Sequence, residues 1–155
     1  MTGGTKVLIA GGSGNIANQR GVGMFFSTTA GRLTVTINLA GTNQAFNFDI
    51  GSYAGDFIFY LDIDTAAKIC ALFVNGTQVG AAQTITANGA LPALMWSFGC
   101  MIEGNDFTRF APLTLGGAVI TTTPSERART EGYLAWATGN SASLPGGHPY
   151  KLGAP

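Results

Sequence analysis

Several side chains stand where they could do chemistry. Asp62 and Asp64, two residues apart, send two carboxylates to the same side of a strand end, and Asn105-Asp106 adds two oxygen-bearing side chains in a loop. Hard oxygen donors of this kind suit Ca2+. The same residue types also serve strand ends and turns, where they bond the local backbone. Trp96, in the alternating stretch Trp96-Ser97-Phe98, offers a ring either to a saccharide or to a hydrophobic core. His148 is the only histidine and so the only imidazole base. No motif sets a nucleophile beside it, and the expectation is a structural ring bonded to a neighbouring backbone carbonyl. Glycoside hydrolysis needs two carboxyl groups across a cleft. The glutamates are Glu103, Glu126 and Glu131, with no pair of them on a strand. No enzyme activity is expected.

The segment Lys6-Val7-Leu8-Ile9-Ala10-Gly11-Gly12-Ser13-Gly14-Asn15-Ile16-Ala17 satisfies the strand and G-x-G-x-x-G/A pattern of a dinucleotide site. Such a site needs a helix straight after the glycines, with its N-terminus on the phosphates, and an acidic residue about 20 positions on for the ribose. The chain instead meets Gly21 and Gly23 and enters Met24-Phe25-Phe26, without that acid. A Gly-rich loop between two strands is the expectation, with no nucleotide cofactor.

Composition narrows the partners. Charged residues make up 10% of the 155 positions, against roughly 25% in typical chains, and eight Lys+Arg balance eight Asp+Glu. A neutral chain offers nucleic acid no basic footprint and a membrane surface no polybasic anchor. With 46% hydrophobic residues it is too apolar for intrinsic disorder. The longest uncharged hydropathic stretch, Asn88 to Ile102, contains Pro92, Ser97 and Gly99 and falls short of the roughly 20 apolar residues that span a bilayer. No signal peptide or spanning segment is expected, and the protein reads as soluble. Cys70 and Cys100 both sit in apolar strand-like runs, which favours buried thiols over a metal site or redox pair.

These residues must be carried by strands. From Val22 to Leu115, short β-rich runs alternate with Gly, Asn and Asp at about 8–12-residue spacing, the pattern of an antiparallel sandwich or barrel. Arg32 to Asn38 alternates strictly, with Leu33, Val35 and Ile37 on one face and polar residues on the other, as in a half-buried strand. Further strands are expected over Asp56 to Asp62, Lys68 to Val74, Leu94 to Ile102 and Ala111 to Thr121. Asn75-Gly76 between apolar strands predicts a type I′ hairpin. It also completes the glycosylation pattern Asn75-Gly76-Thr77, for which the turn is sufficient explanation.

Thr123-Pro124-Ser125-Glu126 combines an N-cap hydroxyl, Pro at the first helical position and a Glu three residues after the cap. A helix over about 124–138 is expected, with Thr130, Tyr133, Leu134 and Ala137 on one face, Trp136 packed on a sheet, and Gly139 as its stop. The segment from Asn140 to Pro155 is Pro- and Gly-rich and should be extended or turn-like. One domain over 1–155 is expected, without repeats or linkers.

The final third resembles the C-terminal segment of concanavalin A-like (laminin G-like) lectin/glucanase jelly-roll domains of phage and bacterial structural proteins. The residues that carry this are Ser125-Glu126-Arg127, Glu131-Gly132-Tyr133-Leu134-Ala135-Trp136, Leu144-Pro145 and His148-Pro149-Tyr150-Lys151. Upstream, Leu72-Phe73-Val74-Asn75-Gly76-Thr77-Gln78-Val79 resembles the family's strand, Asn-Gly turn and strand, and Trp96-Ser97-Phe98-Gly99 the strand before its closing loop. The resemblance covers residues 57–151. It implies an all-β, two-sheet antiparallel jelly-roll sandwich with one short C-terminal helix, used for adhesion or glycan recognition and found in tail-fibre and capsid-decoration proteins.

Two departures qualify what the resemblance implies. The chain starts nearly at the Gly-rich loop, so the sandwich should be short at its N-terminal edge, and a bare edge calls for cover by oligomerisation or by docking onto a larger assembly. No metal-and-asparagine sugar site of the legume-lectin kind is recognisable. The expectation is a non-catalytic module of a phage-like virion, contacting other virion subunits or copies of itself, with host glycans as a further candidate ligand. The alternative is a free carbohydrate-binding module using Trp96, Asn105 and Asp106; a glycan hydrolase of the same fold stands third.

Overall fold

The computed structural model describes residues 6–11, 21–27, 31–51, 57–89, 96–98, 101–103, 106–108 and 126–155. The strands are β1 (Lys6–Gly11), β2 (Gly21–Phe26), β3 (Arg32–Leu39), β4 (Thr42–Asp49), β5 (Phe59–Asp64), β6 (Ile69–Val74), β7 (Thr77–Gln78), β8 (Gln83–Thr84), β9 (Trp96–Phe98), β10 (Met101–Glu103) and β11 (Asp106–Thr108). Helix α1 spans Arg127–Ala137, and a single 3-10 turn, Ser141–Ser143, follows it. Strands pair in the order β4-β3-β2-β1-β9 in a five-stranded sheet and β5-β6-β7 in a second, where β8 also pairs with β6; β10 and β11 form a hairpin. Every described pairing is antiparallel. The chain is mostly β, as its alternating runs predict. No described helix is long and apolar enough to cross a membrane.

The alternation in β3 is what joins the sheets. Leu33, Val35, Ile37 and Leu39 are all fully buried and share one hydrophobic cluster with Phe46 and Phe48 of β4 and with Cys70 and Leu72 of β6. Phe59, Leu61 and Ile63, the other alternating set on β5, pack against the same cluster. Burying one such leucine is worth about 2 kcal/mol in removal from water. Burial holds the Cys70 thiol free and pushes its pKa up to about 12, with Asp62 adding to the rise.

The polar face of β3 departs from expectation, because Thr34, Thr36 and Asn38 are buried as well. Their cross-strand neighbours on β2 include Phe25, which is 9% exposed. Thr34 donates to Asn47 Oδ1 at 2.8 Å, and Asn38 Oδ1 accepts the Gly41 N–H at 3.1 Å. Among the described residues the Thr36 hydroxyl has no partner.

The two sheets are also joined by side-chain amides. Gln44 on β4 donates to Thr84 O at 2.8 Å and accepts the Thr86 N–H at 2.8 Å, as a neighbouring strand would. Gln83 donates to Asn47 O at 2.8 Å.

Several expectations shift. Strand β1 is not an edge: it lies between β2 and β9, so the N-terminal strand is covered from within the chain. The strand expected over Asp56 to Asp62 runs from Phe59 to Asp64, and the one expected over Leu94 to Ile102 is two short strands, β9 and β10. The expected strand 111–121, Cys100 and the capping residues 123–125 lie outside the described residues. Helix α1 opens at Arg127 with Glu126 as N-cap and no side-chain cap bond. The Glu126 carboxylate faces Arg129 at 3.9 Å instead.

The stop is as expected. Gly139 takes φ 72°, its N–H donates to Trp136 O at 3.2 Å, and the Asn140 N–H reaches back to Ala135 O at 2.7 Å, the paired bonds of a Schellman motif.

Candidate functional site

Arg127 and His148 of the C-terminal segment meet at the Asn-Gly hairpin. Asn75 and Gly76 take φ 48° and 79°, as a type I′ turn requires. The Asn75 side chain accepts the Ile58 N–H at 2.8 Å, while its own N–H donates to Ile58 O at 2.8 Å. A Cβ on Gly76 would lie 3.0 Å from Pro145 Cδ and 3.1 Å from His148 Cδ2, so the bare turn lets the tail settle on it. Helix α1 closes the other side: Ile58, Ala135 and Leu144 form a small second core, with Leu134 packed against it.

Glu131 sits at the centre, its side chain 1% exposed. Arg127, one turn earlier, brings Nη1 to 3.0 and 3.2 Å from its two oxygens, while the same guanidinium lies 4.0 Å above the Phe73 ring. A buried carboxylate is tolerated only when paired and hydrogen-bonded. The second bond comes from the tail, where His148 Nε2 stands 3.3 Å from Glu131 Oε2. The other ring nitrogen, Nδ1, accepts the Tyr150 N–H at 3.3 Å. With Nδ1 accepting, the ring proton belongs on Nε2, pointing at the carboxylate. Both nitrogens are thus engaged, and the His148 side chain is 5% exposed.

The tail is tied down along its length. A Cβ on Gly132 would lie 2.6 Å from Tyr150 Cβ, so only glycine allows the tail this close to the helix. Trp136 Nε1 donates to Tyr150 O at 2.9 Å, and Lys151 Nζ bonds the carbonyls of Leu144, at 2.6 Å, and Ala142. Trp136 therefore does not pack on a sheet as expected: it is 41% exposed and serves the tail. Nor does the expected helix face hold. The buried positions are Glu131, Gly132 and Ala135, and Tyr133 is 60% exposed, because α1 packs through a charge pair and small residues.

On the outer face of β5, opposite the core-facing Phe59, Leu61 and Ile63, stand Tyr60, Asp62 and Asp64. Asp62 and Asp64 share a face as the sequence suggests. Burial, then the neighbouring Asp64, pushes the Asp62 carboxyl above its ordinary range, while Arg127 pulls it down. Burial also raises the Tyr60 hydroxyl, helped by Asp62 and Glu131. Asp64 does turn chemistry: its Oδ1 accepts the N–H groups of Ala66 and Ala67 at 2.9 and 2.8 Å. Ca2+ takes six to eight oxygens, and among the described residues no third His, Cys, Asp or Glu joins this pair in a metal-sized group.

Of the glycan candidates, Trp96 falls on β9 and Asp106 on β11, at positions whose side chains are not described; Asn105 lies outside the described residues. The structure does not bring these three together with Asp62 and Asp64 in any described contact. The cluster it does assemble, Arg127, Glu131 and His148, went unread as a unit in the sequence. The i,i+4 spacing of Arg127 and Glu131 was the available signal. The expected backbone-carbonyl partner of His148 is replaced by a buried carboxylate, Glu131.

No protein-family model matches the chain, and neither a curated protein nor a solved structure matches it.

Proposed function

We propose that this chain is a non-catalytic module of the jelly-roll sandwich type that works by contact within a phage-like virion, in capsid decoration or a tail fibre, and offers its loops to host glycans. The observation that supports this best is the engagement of the one imidazole. A general base needs a ring nitrogen open to substrate. In His148 one nitrogen faces Glu131, the other receives the Tyr150 N–H, and the side chain is buried. The strongest acid–base constellation among the described residues therefore holds the tail to the hairpin and has no open position for chemistry.

The residues that carry the resemblance to laminin G-like domains are largely those that build this clasp. Arg127, Glu131, Gly132, Trp136, Leu144, Pro145, His148, Tyr150 and Lys151 each make a contact in this clasp. On this reading the likeness is one of architecture, and the virion role is the setting in which a contact module without net charge fits.

Cross-linking of assembled particles followed by mass spectrometry tests the reading. Cross-links from this chain to other particle subunits are expected. Its absence from purified particles, together with saturable sugar binding by the isolated chain that is lost in Trp96→Ala or Asp106→Ala, would replace the virion reading with that of a free carbohydrate-binding module.

A further inference from the structure

The phase of the β3–β4 ladder fixes which backbone groups of β4 are left over. In an antiparallel pair, alternate residues exchange both their bonds with the partner strand, and those between turn their N–H and C=O groups away. The Ile50 N–H donates to Gly31 O at 2.8 Å, one step beyond the pair Arg32↔Asp49 in the same register. The bonded pairs are therefore Leu33↔Phe48, Val35↔Phe46, Ile37↔Gln44 and Leu39↔Thr42. The last of these closes the two-residue turn Ala40-Gly41, as that hairpin requires.

Asn43, Ala45, Asn47 and Asp49 consequently aim their backbone groups outward, and all four residues are exposed. The bond from Gln83 Nε2 to Asn47 O confirms the direction. Among the described residues it is also the one bond these outward groups receive. Among the described strands β4 ends its sheet, and its eight residues contain no Lys and no Pro, the usual means by which an edge refuses a neighbour.

We propose that β4 is a self-association edge, on which β4 of a second copy adds antiparallel across a two-fold axis and continues the five-stranded sheet. Alternating outward donors and acceptors that, among the described residues, have no partner but Gln83 call for an extended chain, and three features favour a copy of this one. A two-fold axis at Gln44 sets Asn43 of each copy opposite Ala45 of the other, so both outward residues find bonded partners. The pairing ends where Gln83 already covers the Asn47 carbonyl. The strand's single charge, Asp49, is held by Arg32 at 2.9 Å, and the chain carries no net charge, so two copies meet without electrostatic repulsion. None of this depends on the virion reading.

Sedimentation of the full chain over a range of concentrations tests the inference, with Ala45→Pro and Ala45→Lys alongside. Proline at position 45 removes an N–H that β3 does not use and is tolerated on an edge. The wild-type chain should be a dimer that dissociates on dilution. Both variants should keep its circular dichroism spectrum and weaken the dimer at least about tenfold in Kd. If Ala45→Pro fails to fold, Ala45→Lys and hydrogen exchange decide: in the wild type, the Asn43 and Ala45 amides should gain protection as concentration rises. A monomer at every concentration, a dimer undiminished in a folded variant, or Asn43 and Ala45 amides that exchange freely in the dimer would each overturn the proposal.

Discussion

The core between the two large sheets and the clasp around Glu131 are held by opposite means. In the core, Leu33, Val35, Ile37, Leu39 and Leu72 are fully buried and apolar, and each is one of many that fill the same space. In the clasp, a buried carboxylate, a guanidinium, an imidazole and two bare glycine positions meet at single-atom tolerances. Core stability is spread over area and degrades by degrees. The clasp depends on a few directional fits, so one atom in the wrong place should release a whole segment.

Substitutions that act on one region and spare the other separate the two modes. The largest effect should come from Leu33→Ala, which opens a cavity where the side chain is 0% exposed and should cost about 4 kcal/mol of global stability in a denaturant titration. Glu131→Ala leaves Arg127 and His148 without their shared acceptor, and about 3 kcal/mol is expected, most of it as release of the tail. Limited proteolysis should then cut within residues 140–155 before the sheets open. Gly132→Ala forces the tail away from the helix at a 2.6 Å approach and should cost about 2 kcal/mol, with increased Trp136 solvent exposure as its fluorescence signature.

Two changes should strengthen the fold. Thr36→Val replaces a buried hydroxyl that has no partner among the described residues by a methyl of the same shape, and a gain of about 1 kcal/mol is expected in thermal unfolding. The smallest effect belongs to Asp62→Asn. The native Asp62 carboxyl holds its proton more tightly than the unfolded one. That contribution to stability is therefore complete in acid, below the ordinary carboxylate range, and is lost as pH rises through the raised native value. The neutral amide should be slightly the more stable at neutral pH, with the margin closing as the pH is lowered.

The contrast also explains what could be read from the chain. The strand over Arg32 to Asn38 with its Leu33, Val35 and Ile37 core face, the Asn75-Gly76 turn and the Gly139 stop are local patterns, and each appears in the structure where local physics puts it. The buried helix face is not legible in the helix itself because its partner is the tail. Glycine, alanine and glutamate face inward there, a choice set by residues 17 or 18 positions away, His148 and Tyr150, and not by hydrophobic period. Trp136 was misplaced for the same reason, since its hydrogen bond to Tyr150 depends on how a Pro- and Gly-rich segment turns back. The cover of β1 by β9 joins residues nearly ninety positions apart, for which a single sequence carries no signal.

The account rests on His148 being a clamp, and since it is the only histidine its ring nitrogens give one unambiguous set of 15N NMR signals. At a pH where the ring is neutral, a single fixed tautomer is expected, with the proton on Nε2 and Nδ1 bare, and with slow exchange of the Nε2 proton. A ring averaging between tautomers, with a proton exchanging freely with water, would mean that an open imidazole stands at this site and would contradict the structural role assigned to it.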